Sequence, residues 1–163
     1  MRLILFLMLS FTLFSESYLI KPKYVLDVET GELNRLEIKV EEGIISEIGT
    51  NLSSKGVEVL LLPNTILMPG LIDTHVHLIG NNELNGYESV GESSYLATLY
   101  GVKNAEATLL AGFTTVRNVG AGNYTDVALK RAINRGVIVG PRMYVSGPPL
   151  GITGGHCDNN LMP

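Results

Sequence analysis

The sequence predicts an α/β fold in which a small β unit precedes parallel β-α-β units. Two observations indicate this. Residues 18–67 contain short segments in which apolar and polar residues alternate, as in half-buried strands, with turn residues between them. From residue 68 onward, strand-like segments alternate with segments of helical periodicity, which is typical of a parallel sheet whose strands are connected by helices.

The first part is expected to be antiparallel. Apolar and polar residues alternate over 35–40, and an acidic turn at 41–43 leads to a hairpin partner at 44–48. An apolar run at 58–62 completes the predicted unit. Pro63-Asn64 is expected to separate it from the next strand.

The second part reads as strand, helix, strand, helix, strand. Its predicted strands are 68–78, 113–119 and 142–146, and its predicted helices are 93–110 and 125–135. Gly112 is expected to end the first helix, and Thr125 or Asp126 to cap the second, which Gly136 closes. Four apolar residues share one side of the first helix and are expected to cover the strands as core: Tyr95, Leu99, Val102 and Leu109.

The N-terminus has the composition of a secretory signal peptide. Arg2 is followed by an apolar run at 3–14, and small residues, Ser15 and Ser17, occupy the −3 and −1 positions of a cut after Ser17. The run is shorter than the roughly 20 residues that a membrane span needs. We therefore expect residues 1–17 to be removed and the protein to be exported, to a periplasm or outside the cell, with no stable membrane span. A buried N-terminal element or an uncleaved anchor is the alternative.

Composition narrows the function classes. The chain has 163 residues, 45% of them hydrophobic, and a formal net charge of -4. Because no basic cluster occurs along it, we expect no nucleic-acid partner. Cys157 is the single cysteine, so no disulfide can form within the chain. Composition leaves an oligomeric state open.

The stretch 68-MPGLIDTHVHLIG-80 carries two of the three histidines. In a strand with regular alternation, Leu71, Asp73, His75 and His77 share one face. Two neutral imidazoles on one rigid strand form half of a typical zinc site, and such a metal lowers the pKa of bound water to about 7. The alternative is a partly exposed strand whose histidines bind nothing.

Several motifs resemble one family. Pro69–Asp73 followed by His75-x-His77 is similar to the first barrel strand of the amidohydrolase superfamily. Four further motifs, together with Glu42-Gly43-Ile44-Ile45 in the β unit, resemble the imidazolonepropionase-like branch, which includes Xaa-Pro dipeptidases: Gly112–Arg117, Ala132-Ile133 ahead of Gly136, Gly140–Arg142 and Thr153–His156. The resemblance extends from about residue 19 to the end of the sequence.

The resemblance implies a metal-dependent (β/α)8 TIM barrel preceded by a small β-sandwich. Residues 18–67 would be the sandwich, and residues 68–163 the N-terminal part of the barrel, with only about three barrel strands. Since such a barrel takes roughly 250 residues, we expect the chain to be an N-terminal fragment of a longer enzyme. The alternative is a non-catalytic exported remnant or a metal-binding module.

The resemblance also implies a chemistry. The parent protein would hydrolyse carbon–nitrogen bonds of amides or cyclic amides, with an Xaa-Pro dipeptide as one expected substrate, and would use one or two divalent metals, usually Zn²⁺. His75 and His77 would ligate the more buried metal. His156 would face the substrate, with a surface-loop histidine as the alternative, and Asp73 would be structural or would orient a metal ligand through hydrogen bonds. The remaining ligands (a carboxylated Lys, two His and an Asp) would lie on later strands. We therefore expect no catalytic residue within these 163 residues, and no activity of this stretch alone.

Two residues depart from the family pattern. Asn118 stands where relatives more often have Asp, which predicts the loss of a carboxylate near the end of the second strand. Cys157 stands where Gly is common, and metal binding, oxidation and a neutral substitution all stay open. Both departures bear on substrate preference more than on class.

Overall fold

The computed structural model describes residues 17–84 and 86–158, without the side chains of Gly86 and Tyr87. The chain divides into two compact units, Met1–Pro69 and Gly70–Pro163. The predicted signal peptide lies outside the described residues except for its last residue, Ser17. Within the described ranges, no helix is long and apolar enough to span a membrane.

The first unit contains one mixed five-stranded sheet. Its strands are β1 (Tyr18–Leu26), β2 (Leu33–Asn34), β3 (Glu37–Glu41), β4 (Ile44–Gly49) and β5 (Glu58–Leu67). The order is β2-β1-β3-β4, and β5 pairs with β1. The predicted hairpin is confirmed, because β3 and β4 pair in antiparallel fashion. The described strands form a single sheet, so the second layer of a sandwich stays a prediction.

Strand β5 differs from its prediction in two ways. It pairs with β1 in parallel, so the unit is not purely antiparallel, and it continues through Pro63 to Leu67. The proline is accommodated by a register shift: Pro22 pairs with Leu62, but Tyr24 pairs with Ile66, so β5 carries the longer stretch. Pro63 lies within this irregularity, where its missing N–H does not interrupt a regular ladder.

The second unit begins with the predicted order of elements. It contains β6 (Leu71–Val76), α1 (Gly86–Val90), α2 (Ser94–Leu110), β7 (Phe113–Asn118), α3 (Thr125–Asn134) and β8 (Arg142–Val145). The three strands pair in parallel in the order β6-β7-β8. The α/β class is thus confirmed, as the start of a (β/α)8 barrel. The short helix α1 has no counterpart in the sequence prediction.

The helix ends follow the predicted signals only in part. Ser93 caps α2 by accepting a backbone N–H of the first turn at 3.2 Å, and Gly112 follows the helix with φ 97°. For α3 the predicted cap is wrong. Its N-cap is Tyr124, in the left-handed region with φ 56°, while Thr125 and Asp126 lie buried inside the first turn. Their burial shows that they serve the interior of the unit.

The predicted core face of α2 is wrong at two of its four residues, whereas Val102 packs against the buried cluster as predicted. Tyr95 is 87% exposed and Leu99 65% exposed. The helix packs instead through small residues such as Gly101, where an added Cβ would lie only 2.8 Å from Cδ1 of Ile79. Close approach to α3 requires these small residues, and apolar periodicity does not register them. The buried cluster is Leu78, Ala105, Val116, Leu129 and Met143.

Candidate functional site

A cavity of about 550 Å³ lies where the three parallel strands of the second unit end. Its walls come from the segments that follow β6, β7 and β8, together with His75 near the end of β6. The lining includes His75, His77, Gly120, Pro149, His156 and Cys157. The three histidines of the sequence therefore meet at one cavity, although two lie on one strand and the third follows about 80 positions later.

His75 and His77 stand side by side. Their ring centroids are 5.5 Å apart, and the ring planes meet at 71° in an edge-on arrangement. Both side chains are exposed in the described part of the chain. The one-residue spacing along a strand places the two imidazoles toward the same cavity, as the sequence predicted.

Asp73 does not line the histidine cavity. The β6–β7 register shifts between Asp73 and Val76. Asp73 pairs with the buried Val116 and lines a second cavity, whose walls also include His77 and Ala107 of α2. Its carboxylate accepts the backbone N–H of His75 at 3.0 Å. The contact to the histidine pair thus runs through the main chain, and an orienting role for Asp73 stays a prediction.

The donor set fits zinc in kind and supplies part of a site. Imidazole nitrogen is a preferred zinc donor, but catalytic zinc takes three protein ligands. Across residues 17–84 and 86–158, no three His, Cys, Asp or Glu residues are arranged to hold a metal ion. His75 and His77 would supply two ligands of such a site, and their role stays a prediction.

The segment carrying His156 is a tight turn. The N–H of Gly155 donates to the carbonyl of Ile152 at 2.9 Å, and the N–H of Gly154 donates to the Asp158 carboxylate at 2.8 Å. His156 itself is exposed, whereas Cys157 is half-buried. A Cβ added to Gly151 would lie 2.8 Å from the Cβ of Cys157. Residue 151 is therefore restricted to glycine by the cysteine that departs from the family pattern.

Asn118, the last residue of β7, does not line the cavity. Its side chain is completely buried and its Oδ1 accepts the N–H of Leu78 at 2.8 Å. The sequence analysis missed a second support of this kind, Asn104 of α2, whose Nδ2 donates to the carbonyls of Leu78 at 2.8 Å and Gly80 at 3.1 Å. The sequence signal that could have indicated this role was a polar residue, Asn104, on the side of α2 that packs against the strands.

The fold and the site together define the class of protein. Parallel strands joined by helices, with polar groups gathered at their carboxyl ends, are the arrangement of barrel enzymes. Residues 66–162 match the model of the Amidohydrolase family, and the chain belongs to this family, as its N-terminal part.

Two groups of curated relatives illustrate the match. Ochratoxinase from Aspergillus niger is 38% identical over 101 residues, which is 60% of this chain and 20% of that protein. A dihydroorotase from Carboxydothermus hydrogenoformans is 41% identical over 59 residues, 36% of this chain and 14% of that protein. The matched region thus spans a fifth or less of these relatives.

Solved structures share the fold over most of the chain. An Xaa-Pro dipeptidase with bound methionine in its active site has a TM-score of 0.78 at 28% identity, covering 90% of this chain and 37% of that chain. A prolidase complexed with N-methylphosphonate-L-proline has a TM-score of 0.76 at 30% identity, covering 87% and 34%. The A. niger ochratoxinase structure has a TM-score of 0.71 at 26% identity, covering 87% and 34%.

Proposed function

We propose that the full-length protein is a metal-dependent hydrolase of carbon–nitrogen bonds, and that His75 and His77 hold its metal. The observation that carries the proposal is the pair of imidazoles at the end of β6, 5.5 Å apart and facing a cavity that His156 also lines. When bound, the metal supplies Lewis-acid polarisation of the substrate carbonyl.

The substrate class follows from the named neighbours. Xaa-Pro dipeptidase, prolidase and ochratoxinase structures resemble the chain over 87% or more of its length. We propose an amide in a small molecule or dipeptide, with an Xaa-Pro dipeptide first and a cyclic amide second. We propose that His156, whose exposed side chain lines the cavity, donates a hydrogen bond to a substrate oxygen.

The test uses the full-length protein. Its zinc content is measured by mass spectrometry, and hydrolysis is followed for Xaa-Pro dipeptides and cyclic amides. Replacing His75 and His77 together by Ala should abolish both zinc binding and hydrolysis. His156→Ala is the matched control on the same cavity, and it should keep the zinc while raising KM. A wild-type protein without zinc or hydrolysis, or a double variant that retains both, would refute the proposal.

Export is a separate proposal. We infer that residues 1–17 are a cleaved signal peptide, since β1 begins at Tyr18 and a cut after Ser17 leaves this strand whole. The cut would remove one hydrogen bond, because the N–H of Glu58 donates to the carbonyl of Ser17 at 2.9 Å. The N-terminal sequence of the protein from its native host tests this. A mature chain that starts at Tyr18 is expected, and one that still carries Arg2 would contradict the proposal.

A further inference from the structure

Two buried polar side chains lie behind the histidine cavity without lining it. Asn118, the last residue of β7, and Asp126, in the first turn of α3, are both 0% exposed. The Nδ2 of Asn118 donates to Oδ2 of Asp126 at 3.4 Å and to the carbonyl of Gly120 at 3.2 Å. Neither residue contributes to the cavity walls, so a direct contact to substrate is not their role.

The pair connects the backbone at the ends of all three strands of the second unit. On one side, Oδ1 of Asn118 accepts the N–H of Leu78 at 2.8 Å, one residue after His77. On the other side, Oδ2 of Asp126 accepts the N–H of Gly147 at 3.0 Å, two residues after β8 ends. Gly147 begins the segment that carries Pro149 to the cavity. Two walls of the cavity are therefore fixed to the same pair of side chains.

We infer that Asn118 and Asp126 act as a positioning pair that sets where the His77 imidazole lies relative to the segment after β8. The expected effect of the pair on metal binding rests on the proposed function. Its expected effect on the backbone rests on the hydrogen bonds alone. Replacing a group that hydrogen-bonds a metal ligand directly typically lowers metal affinity by about 10-fold to 100-fold. Asn118 bonds the residue next to His77, so we expect the lower end of this range.

The chemical identity of each partner is required. An amide at 118 accepts from Leu78 and donates to Gly120 and Asp126 at once, which a carboxylate cannot do because it only accepts. An Asp at 118 would place two carboxylates face to face in a buried site, where like charges are strongly unfavourable. In this chain the asparagine at 118 and the aspartate at 126 therefore belong together.

The test compares Asn118→Asp with Asp126→Asn in the full-length protein. Zinc affinity is measured by competition titration, and exchange of the Leu78 and Gly147 amide hydrogens by mass spectrometry or NMR. Asn118→Asp should weaken zinc binding about 10-fold. It should also speed exchange at Leu78, because repulsion from the Asp126 carboxylate pushes away the side chain that accepts the Leu78 N–H. Asp126→Asn is the second variant, used if Asn118→Asp does not fold. We expect it to speed exchange at Gly147 more than at Leu78. Combining the two substitutions should recover part of the zinc affinity, since the donor and acceptor between the side chains are restored in exchanged positions.

Asn64→Asp is the matched control, because it makes the same chemical change at an exposed position of the other unit. It should leave both readouts unchanged. The inference is overturned if Asn118→Asp keeps wild-type zinc affinity and wild-type exchange at Leu78, or if zinc affinity falls while exchange at Leu78 and Gly147 is unaltered. Should the wild-type protein bind no zinc, the proposed function fails, and the exchange measurements alone decide on the positioning pair.

Discussion

Replacement of Leu129 by Ala tests which faces of the helices pack against the parallel sheet. Leu129 of α3 is 1% exposed and belongs to the buried cluster with Val116 and Met143. The substitution removes three carbon atoms, worth roughly 0.8 kcal/mol each in transfer free energy, so about 2.4 kcal/mol is lost before any cavity term. With the cavity that remains, we expect a total of about 3–4 kcal/mol.

Leu99→Ala is the matched comparison, since it removes the same atoms from a helix. Leu99 is 65% exposed, so only about a third of the transfer term applies and the expected loss is below about 1 kcal/mol. Urea-induced unfolding of the full-length protein, followed by circular dichroism, measures both losses. Sequence periodicity placed Leu99 in the core. A loss for Leu99→Ala that equals or exceeds the loss for Leu129→Ala would therefore refute the packing described above.

Two further predictions concern the turn beside the cavity and the first sheet. Gly151→Ala should lower stability by about 1 kcal/mol, since the new Cβ overlaps that of Cys157. Adding Cys157→Gly should recover most of this loss, as measured by thermal unfolding. If Gly151→Ala lowered stability equally with Cys157 and with Gly at position 157, the overlap would be contradicted. The hydrogen bond from Lys21 holds the pKa of Glu37 below its ordinary value of 4.5, so the stabilisation is present above that pH and is lost as pH falls through the lowered pKa. Glu37→Gln should thus cost about 1 kcal/mol at pH 7 and progressively less below 4.5, and urea titrations that show a pH-independent cost would contradict this.

Much of the fold could be predicted because its signals are local. The β3–β4 hairpin depends on alternation and a turn within 13 residues. The order of β6 to β8 depends on segments whose own hydrophobic periodicity indicates a strand or a helix. The parallel pairing of β5 could not be predicted. It joins Tyr18 to Glu58, 40 positions apart, and a register shift hides the effect of Pro63.

In the candidate site, too, features that depend on local sequence could be predicted, and features that depend on strand pairing could not. The common cavity of His75 and His77 was predictable, because a one-residue spacing on a strand places both side chains on one side, whereas their metal-binding role stays a prediction. Asp73 does not line the histidine cavity, and alternation did not indicate this because it assumes a regular ladder, whereas the register between β6 and β7 is irregular.

The Asn118–Asp126 pair shows why a residue that departs from a family pattern is poorly interpreted in isolation. From the sequence, Asn118 meant a missing carboxylate. In the structure, the carboxylate of Asp126 accepts a hydrogen bond from the Asn118 amide at 3.4 Å, which an ionised Asp at 118 could not donate. Whether a polar side chain serves the substrate or the scaffold is decided by the partners it meets, here Leu78 at 40 positions' distance and Asp126 at eight. These partners meet because three strands end at the same place. The asparagine at 118 is therefore explained by the hydrogen bonds that connect the strand ends.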